Sequence, residues 1–103
     1  MVNQEKNKSQ DEILVNRIEE FVTYLGVEKN YAINTIASYE RDLLKFLSFL
    51  INRNIADWLE IESDTVNLFV MGLRHSEMSG KSIRRYLSSI RGFFNFLIDN
   101  GVM

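Results

Sequence analysis

The chain contains no proline among its 103 residues and only five glycines. Because proline breaks helices and glycine weakens them, this scarcity permits long uninterrupted helices. Apolar residues recur along most of the chain at intervals of three and four, the spacing that places side chains on one face of an α-helix. The sequence therefore predicts an all-α fold.

A chain of this length can bury one modest core, so we expect a single domain. Its 46% hydrophobic and 25% charged residues are typical of a folded globular protein. The absence of cysteine excludes disulfides, thiolate catalysis and cysteine-ligated zinc. No apolar run reaches the length of a membrane span and the polar start does not resemble a signal peptide, so we expect a cytoplasmic protein without membrane contact.

The N-terminal residues 1–9 are polar and are predicted to form a flexible tail, followed by one helical domain over residues 10–103. The first of four predicted helices opens at Ser9 with Glu12 three residues later, which is the capping-box spacing. This helix is expected to end near Gly26.

Three further helices are predicted from their capping signals. Asn34 would cap the second helix, which runs to about Arg53, and Ser63 would cap a short third helix. The fourth would begin at Ser79 and end at Gly101, which suits the left-handed conformation after a helix.

Three of these helices are amphipathic at about 100° per residue. The apolar sets expected in the core are Ile13, Leu14, Ile18, Phe21, Val22 and Leu25 of the first helix, Ile36, Tyr39, Leu43, Phe46, Leu47, Leu50 and Ile51 of the second, and Ile83, Tyr86, Leu87, Ile90, Phe93, Phe94, Leu97 and Ile98 of the fourth. The opposite sides, here called the two basic faces, carry Thr35, Ser38, Arg41, Lys45 and Ser48 on the second helix, and Lys81, Ser82, Arg84, Arg85, Ser88, Ser89, Arg91 and Gly92 on the fourth, where Phe96 is out of place.

Charge is divided unevenly although the whole chain has a net charge of −2. Residues 34–53 carry three cations against two anions, and residues 79–103 carry four against one. Residues 54–78 carry one cation against five anions. A basic surface with small residues between the cations suits close approach to a polyanion such as DNA.

Charge and periodicity alone leave two functions open. One is nucleic-acid binding through the basic faces, and the other is a helical protein-interaction module that uses the acidic surface. An enzyme is disfavoured, because no constellation of catalytic or metal-ligating residues is present and His75 stands alone. We expect no cofactor and no metal. Trp58 is expected to anchor the connector on the core, and the acidic segment 54–78 to be a solvated face or a subunit contact.

Several short motifs follow one another along the chain: Asn34-Thr35, Tyr39, Arg41-Asp42-Leu43, Lys81-Ser82-Ile83 and Leu87-Ser88-Ser89-Ile90-Arg91. In this order they resemble the N-terminal core-binding domain of tyrosine recombinases, the phage-integrase family, most closely its XerC/XerD branch. Each is short, but their order and spacing extend over roughly residues 12–103.

The resemblance implies a compact orthogonal SAM-like bundle of four to five helices that forms half of a clamp around double-stranded DNA. It implies that six positions face DNA: Thr35, Ser38, Lys81, Ser82, Arg85 and Ser89. Arg85 is the candidate for reading a base. Four further residues are candidate phosphate contacts, argued mainly from their place on the same faces: Arg41, Lys45, Ser88 and Arg91. The family's catalytic arginines and nucleophilic tyrosine have no counterpart here. We therefore expect a non-catalytic, monomeric fragment of a recombinase whose full-length subunits assemble as tetramers on DNA.

Overall fold

The computed structural model describes the backbone of residues 2–103 and the side chains of residues 11–103. Within these residues the chain forms four α-helices and one short 3-10 helix, without a strand. They are α1 (Val2–Val27), α2 (Ile33–Asn52), the 3-10 helix (Trp58–Glu60), α3 (Ser63–His75) and α4 (Gly80–Asp99). The predicted all-α bundle is confirmed.

The predicted start of the first helix is wrong, because α1 already begins at Val2. Ser9 therefore lies within the helix backbone rather than at its N-cap, and its side chain lies outside the described residues. The flexibility expected for residues 1–9 stays a prediction.

Two of the other three predicted N-caps are wrong by one or two residues. Ala32 precedes α2, so Asn34 lies inside the first turn of that helix. Glu62 precedes α3, and its backbone N–H donates to Oγ1 of Thr65 at 3.1 Å. Only the Ser79 cap is confirmed, since Ser79 Oγ accepts from the backbone N–H of Ser82 at 3.2 Å.

The core lies where α1, α2 and α4 meet, and α3 closes it by packing against α4. Phe93 of α4 is fully buried, with its ring centroid 4.8 Å from that of Trp58 and 5.4 Å from that of Phe21. Trp58 is only 1% exposed, so the prediction that it anchors the connector on the core is confirmed. This packing holds α4 against α1 and the 3-10 helix.

Two residues predicted in the core are exposed instead: Ile13 at 47% and Ile98 at 55%. Each stands next to a fully buried leucine, Leu14 or Leu97. Consecutive helical residues point about 100° apart, so the neighbour of a fully buried leucine can lie outside the buried arc, as Ile13 and Ile98 do. Phe96 is half-buried, with its ring centroid 5.0 Å from that of Tyr24.

Among residues 2–103, no helix combines the length and the apolar character that crossing a membrane requires.

Candidate nucleic-acid interface

The two basic faces meet along the line where α2 contacts α4. Gly92 of α4 lies beside Tyr39 of α2 there, since a Cβ at this position would be in ordinary van der Waals contact with Cε1 of Tyr39, at 3.5 Å. Farther along, the ring centroids of Phe46 and Phe94 are 6.1 Å apart. Asp42 of α2 contacts both Arg85 and Ser89 of α4, and we call these three residues the seam cluster.

The carboxylate of Asp42 is the centre of the seam cluster. Asp42 is 0% exposed, and three side-chain donors from α4 satisfy its two oxygens. Arg85 donates from Nε to Oδ2 at 3.1 Å and from Nη2 to Oδ1 at 2.9 Å. Ser89 donates from Oγ to Oδ2 at 2.8 Å. A buried carboxylate without such partners would be strongly unfavourable, so the cluster ties α2 to α4.

Arg85 is anchored at one edge and open at the other. Its side chain is 47% exposed, and its Cζ lies 4.9 Å from the ring centroid of Tyr86. The hydrogen bond to Asp42 is the main cause that raises the pKa of the Arg85 guanidinium, so the side chain keeps its positive charge. Two of its five N–H bonds point to Asp42, and the others are left for solvent or a ligand.

The structure places most of the predicted DNA-facing residues at the surface. Exposed members are Thr35, Arg41, Lys45, Lys81, Arg85, Ser88 and Arg91, and half-buried members are Ser38 and Ser82.

The predicted exposure of Ser89 is wrong. It is 4% exposed, and its hydroxyl is used by Asp42. The reason is its place on the helix, about 40° from Arg85 toward the core, under the edge of α2. Its role in this structure is to hold Asp42.

The nearest polar neighbours of the seam cluster lie on its solvent side. Around α2, Ser38 and Lys45 lie within about 60° of Asp42, and around α4, Lys81 lies about 40° from Arg85. Both helices turn their apolar arcs to the opposite side of the seam. The two basic faces therefore adjoin, with the guanidinium of Arg85 between them.

Three exposed cations lie farther from the seam. Arg41 lies about 100° from Asp42 around α2, while Arg84 and Arg91 lie about 100° and 120° from Arg85 around α4. Arg84 was placed on the basic face but not among the predicted DNA-facing residues. Among the side chains of residues 11–103, these three cations take part in no ion pair.

Sequence reasoning missed Asp42 as a member of the site, although the residue stood in the Arg41-Asp42-Leu43 motif. The sequence feature that could have indicated its role is its position on α2: an acidic residue at the border between the apolar side and the basic face of that helix. Its partner Arg85 lies 43 residues away, and no local pattern pairs the two.

The remaining candidates for chemistry offer no assembled site in the described part of the chain. His75 is exposed at the end of α3, and no group of three or more His, Cys, Asp or Glu side chains there could hold a metal ion. Tyr86 is buried as predicted, whereas Tyr39 is half-buried beside Tyr31, with ring centroids 6.0 Å apart. Burial, and then the neighbouring Tyr31, raise the pKa of Tyr39, which opposes its use as a nucleophile.

Comparison with known proteins gives the geometry a family context. Residues 18–101 match the family model described as phage integrase, N-terminal SAM-like domain. Tyrosine recombinase XerC of Roseiflexus sp. is 32% identical over 88 residues, which cover 85% of this chain and 28% of the relative. Tyrosine recombinase XerD of Listeria monocytogenes is 36% identical over 87 residues, 84% of this chain and 29% of the relative. Tyrosine recombinase XerC of Anoxybacillus flavithermus is 37% identical over 83 residues, 81% of this chain and 28% of the relative.

The chain thus spans less than a third of the length of these relatives, at 28% to 29%. No solved structure matches it.

Proposed function

We propose that this chain, which belongs to the family of phage integrase N-terminal SAM-like domains, is the DNA-binding domain of a larger site-specific tyrosine recombinase. The observation that carries the proposal is the pair of adjoining basic faces on α2 and α4. Membership of a family whose relatives are named tyrosine recombinases supports a role in site-specific recombination.

In this proposal duplex DNA lies along the seam between α2 and α4. Lys45 and Lys81 neutralise phosphates on either side of the seam, and the small side chains of Ser38 and Ser82 let the helices approach the backbone closely. Thr35, Arg41, Ser88 and Arg91 extend the contact at its margins. Sequence preference comes from Arg85, whose guanidinium lies between the faces.

The acidic segment 54–78 turns a repelling surface to the solvent and so favours approach of DNA from the basic side. The fragment itself is proposed to be monomeric, cytoplasmic and without catalytic activity. Strand cleavage and tetrameric assembly would belong to the complete recombinase.

The proposal is tested by fluorescence anisotropy with a labelled random-sequence duplex over a salt series. The logarithm of the affinity should fall linearly with the logarithm of the salt concentration, because side chains replace counterions at several phosphates. Lys45→Ala should make the slope shallower by about one for every sequence tested. Lys29→Ala, in the loop that precedes α2, is the matched control and should leave the slope unchanged. An affinity that does not change with salt concentration would contradict the proposal.

A second candidate is a protein-interaction surface on the acidic segment. It is favoured by two apolar side chains exposed among the acidic residues: Leu59 at 70% and Met71 at 62%. Amide chemical shifts recorded while duplex DNA is added distinguish the two functions. Shifts concentrated on α2 and α4 support DNA binding, whereas shifts confined to residues 54–78, or none, favour the interaction surface.

A further inference from the structure

We infer that Asp42 is a positioning residue for base recognition: its buried carboxylate holds Arg85 so that the outer edge of the guanidinium reads a guanine in the major groove. This inference rests on the proposed DNA-binding function and assigns its sequence preference to a residue that itself cannot touch DNA. Asp42 is 0% exposed and lies beneath Arg85.

The geometry of the ion pair leaves the reading edge open. A guanidinium has a side edge, formed by Nε and one Nη, and an end edge, formed by the two Nη atoms. The bonds to Asp42 come from Nε and Nη2, so the carboxylate takes the side edge. The end edge still presents parallel N–H donors from Nη1 and Nη2, which is the arrangement that pairs with O6 and N7 of guanine.

The guanidinium is held on two sides before any ligand arrives. Asp42 fixes its plane by two hydrogen bonds, and the ring of Tyr86 lies 4.9 Å from Cζ. The carboxylate is itself fixed by Ser89, at 2.8 Å. An arginine that is already oriented loses less side-chain entropy on binding, which improves discrimination between bases.

The charge of the pair favours a base over a phosphate as the ligand. Asp42 cancels much of the charge of Arg85, so the pair attracts a phosphate more weakly than a lone cation would. Other exposed cations, which form no ion pair in the described region, remain available for phosphate contacts: Lys45 and Lys81 near the pair, and Arg84 and Arg91 farther around α4. What the seam cluster adds is orientation, which matters for reading a base edge rather than for attracting the backbone.

The experiment selects bound sequences from a library of random double-stranded DNA and measures overall affinity for the unselected library. Four proteins are compared: the unaltered chain, Asp42→Asn, the double variant Asp42→Asn/Arg85→Ala, and Arg84→Ala as the matched arginine control. Asp42→Asn keeps Arg85 and the volume of the side chain, and the double variant removes the arginine without leaving a buried charge. Circular dichroism confirms that each variant is folded at the temperature of selection.

The unaltered chain should select a guanine at one position of the site. Asp42→Asn should lower the preference for that guanine at least about fivefold, the lower end of what one two-bond arginine–guanine contact contributes. Its affinity for the unselected library should be unchanged or higher, since the negative charge that offsets Arg85 is removed. A merely structural role for Asp42 would lower preference and affinity together. The double variant should also lose the preference for guanine, and Arg84→Ala should keep it.

Each contrary result has a distinct meaning. Absence of binding to any duplex would contradict the proposed function itself. Binding without a selected guanine, or a guanine preference that survives in Asp42→Asn, would overturn the inference and leave DNA binding intact. A further contrary result is that the double variant binds every sequence more weakly than Asp42→Asn does, by the same factor and with a shallower salt dependence. That result would assign Arg85 to a phosphate contact and would also overturn the inference.

Discussion

Replacing Arg85 by alanine should lower the free energy of unfolding. Replacing the charged Asp42 by the neutral asparagine in the same protein should recover part of that free energy. In Arg85→Ala the carboxylate of Asp42, which is 0% exposed, keeps only the hydrogen bond from Ser89. Breaking a fully buried ion pair by removing one partner costs about 3–5 kcal/mol. Arg85 is 47% exposed, so water can enter the space that its side chain leaves, and we expect a smaller cost of about 2–3 kcal/mol.

The test is a double-mutant cycle with Asp42→Asn, measured by urea unfolding and followed by circular dichroism and the fluorescence of Trp58. Asp42→Asn alone should cost about 1–2 kcal/mol, because the neutral amide cannot accept all three donors. The double variant should be more stable than Arg85→Ala by about 1 kcal/mol, since no buried charge remains. Arg84→Ala is the exposed control and should change stability by less than about 0.5 kcal/mol. A double variant less stable than Arg85→Ala would refute this account of the seam cluster.

Two further predictions concern residues outside the seam cluster. Gly72→Ala should raise the free energy of unfolding by about 0.5–1 kcal/mol, because alanine favours the helix and its Cβ would meet nothing within 4 Å. Gly101→Ala should lower the free energy of unfolding, because residue 101 has φ +73°, which alanine rarely adopts. A thermal melt in which the Gly101→Ala variant is the more stable of the two would contradict this pair of predictions. Burial and Tyr31 raise the pKa of Tyr39 above that of an unfolded tyrosine, so its contribution to stability is complete below about pH 10 and is lost as the pH rises further. Tyr39→Phe should reduce the fall in stability on the alkaline side, and an unchanged alkaline limb in urea unfolding would show that Tyr39 does not cause it.

Local features were predicted well where one interaction decides them and poorly where several compete. The predicted α4 start at Ser79 is confirmed, and its hydroxyl accepts a hydrogen bond from the N–H of Ser82 at the helix end. Asn34 and Ser63 can cap a helix in the same way, but neither is the residue that precedes its helix. The residue before α2 is Ala32, and the residue before α3 is Glu62. A capping preference is worth about 1 kcal/mol, which the packing of a whole helix can outweigh.

Periodicity, the absence of proline and the distribution of charge were enough to determine the helical class, most of the buried faces and the two basic faces of this protein. These properties depend on residues close together in the chain, so they can be deduced before the fold is known. Only the tertiary structure decided that Ser89 turns inward, that Arg85 is paired and that Asp42 is the buried residue holding both. The physical reason is that this carboxylate is stabilised by donors from another helix, and their distance in space is set by how α2 and α4 pack.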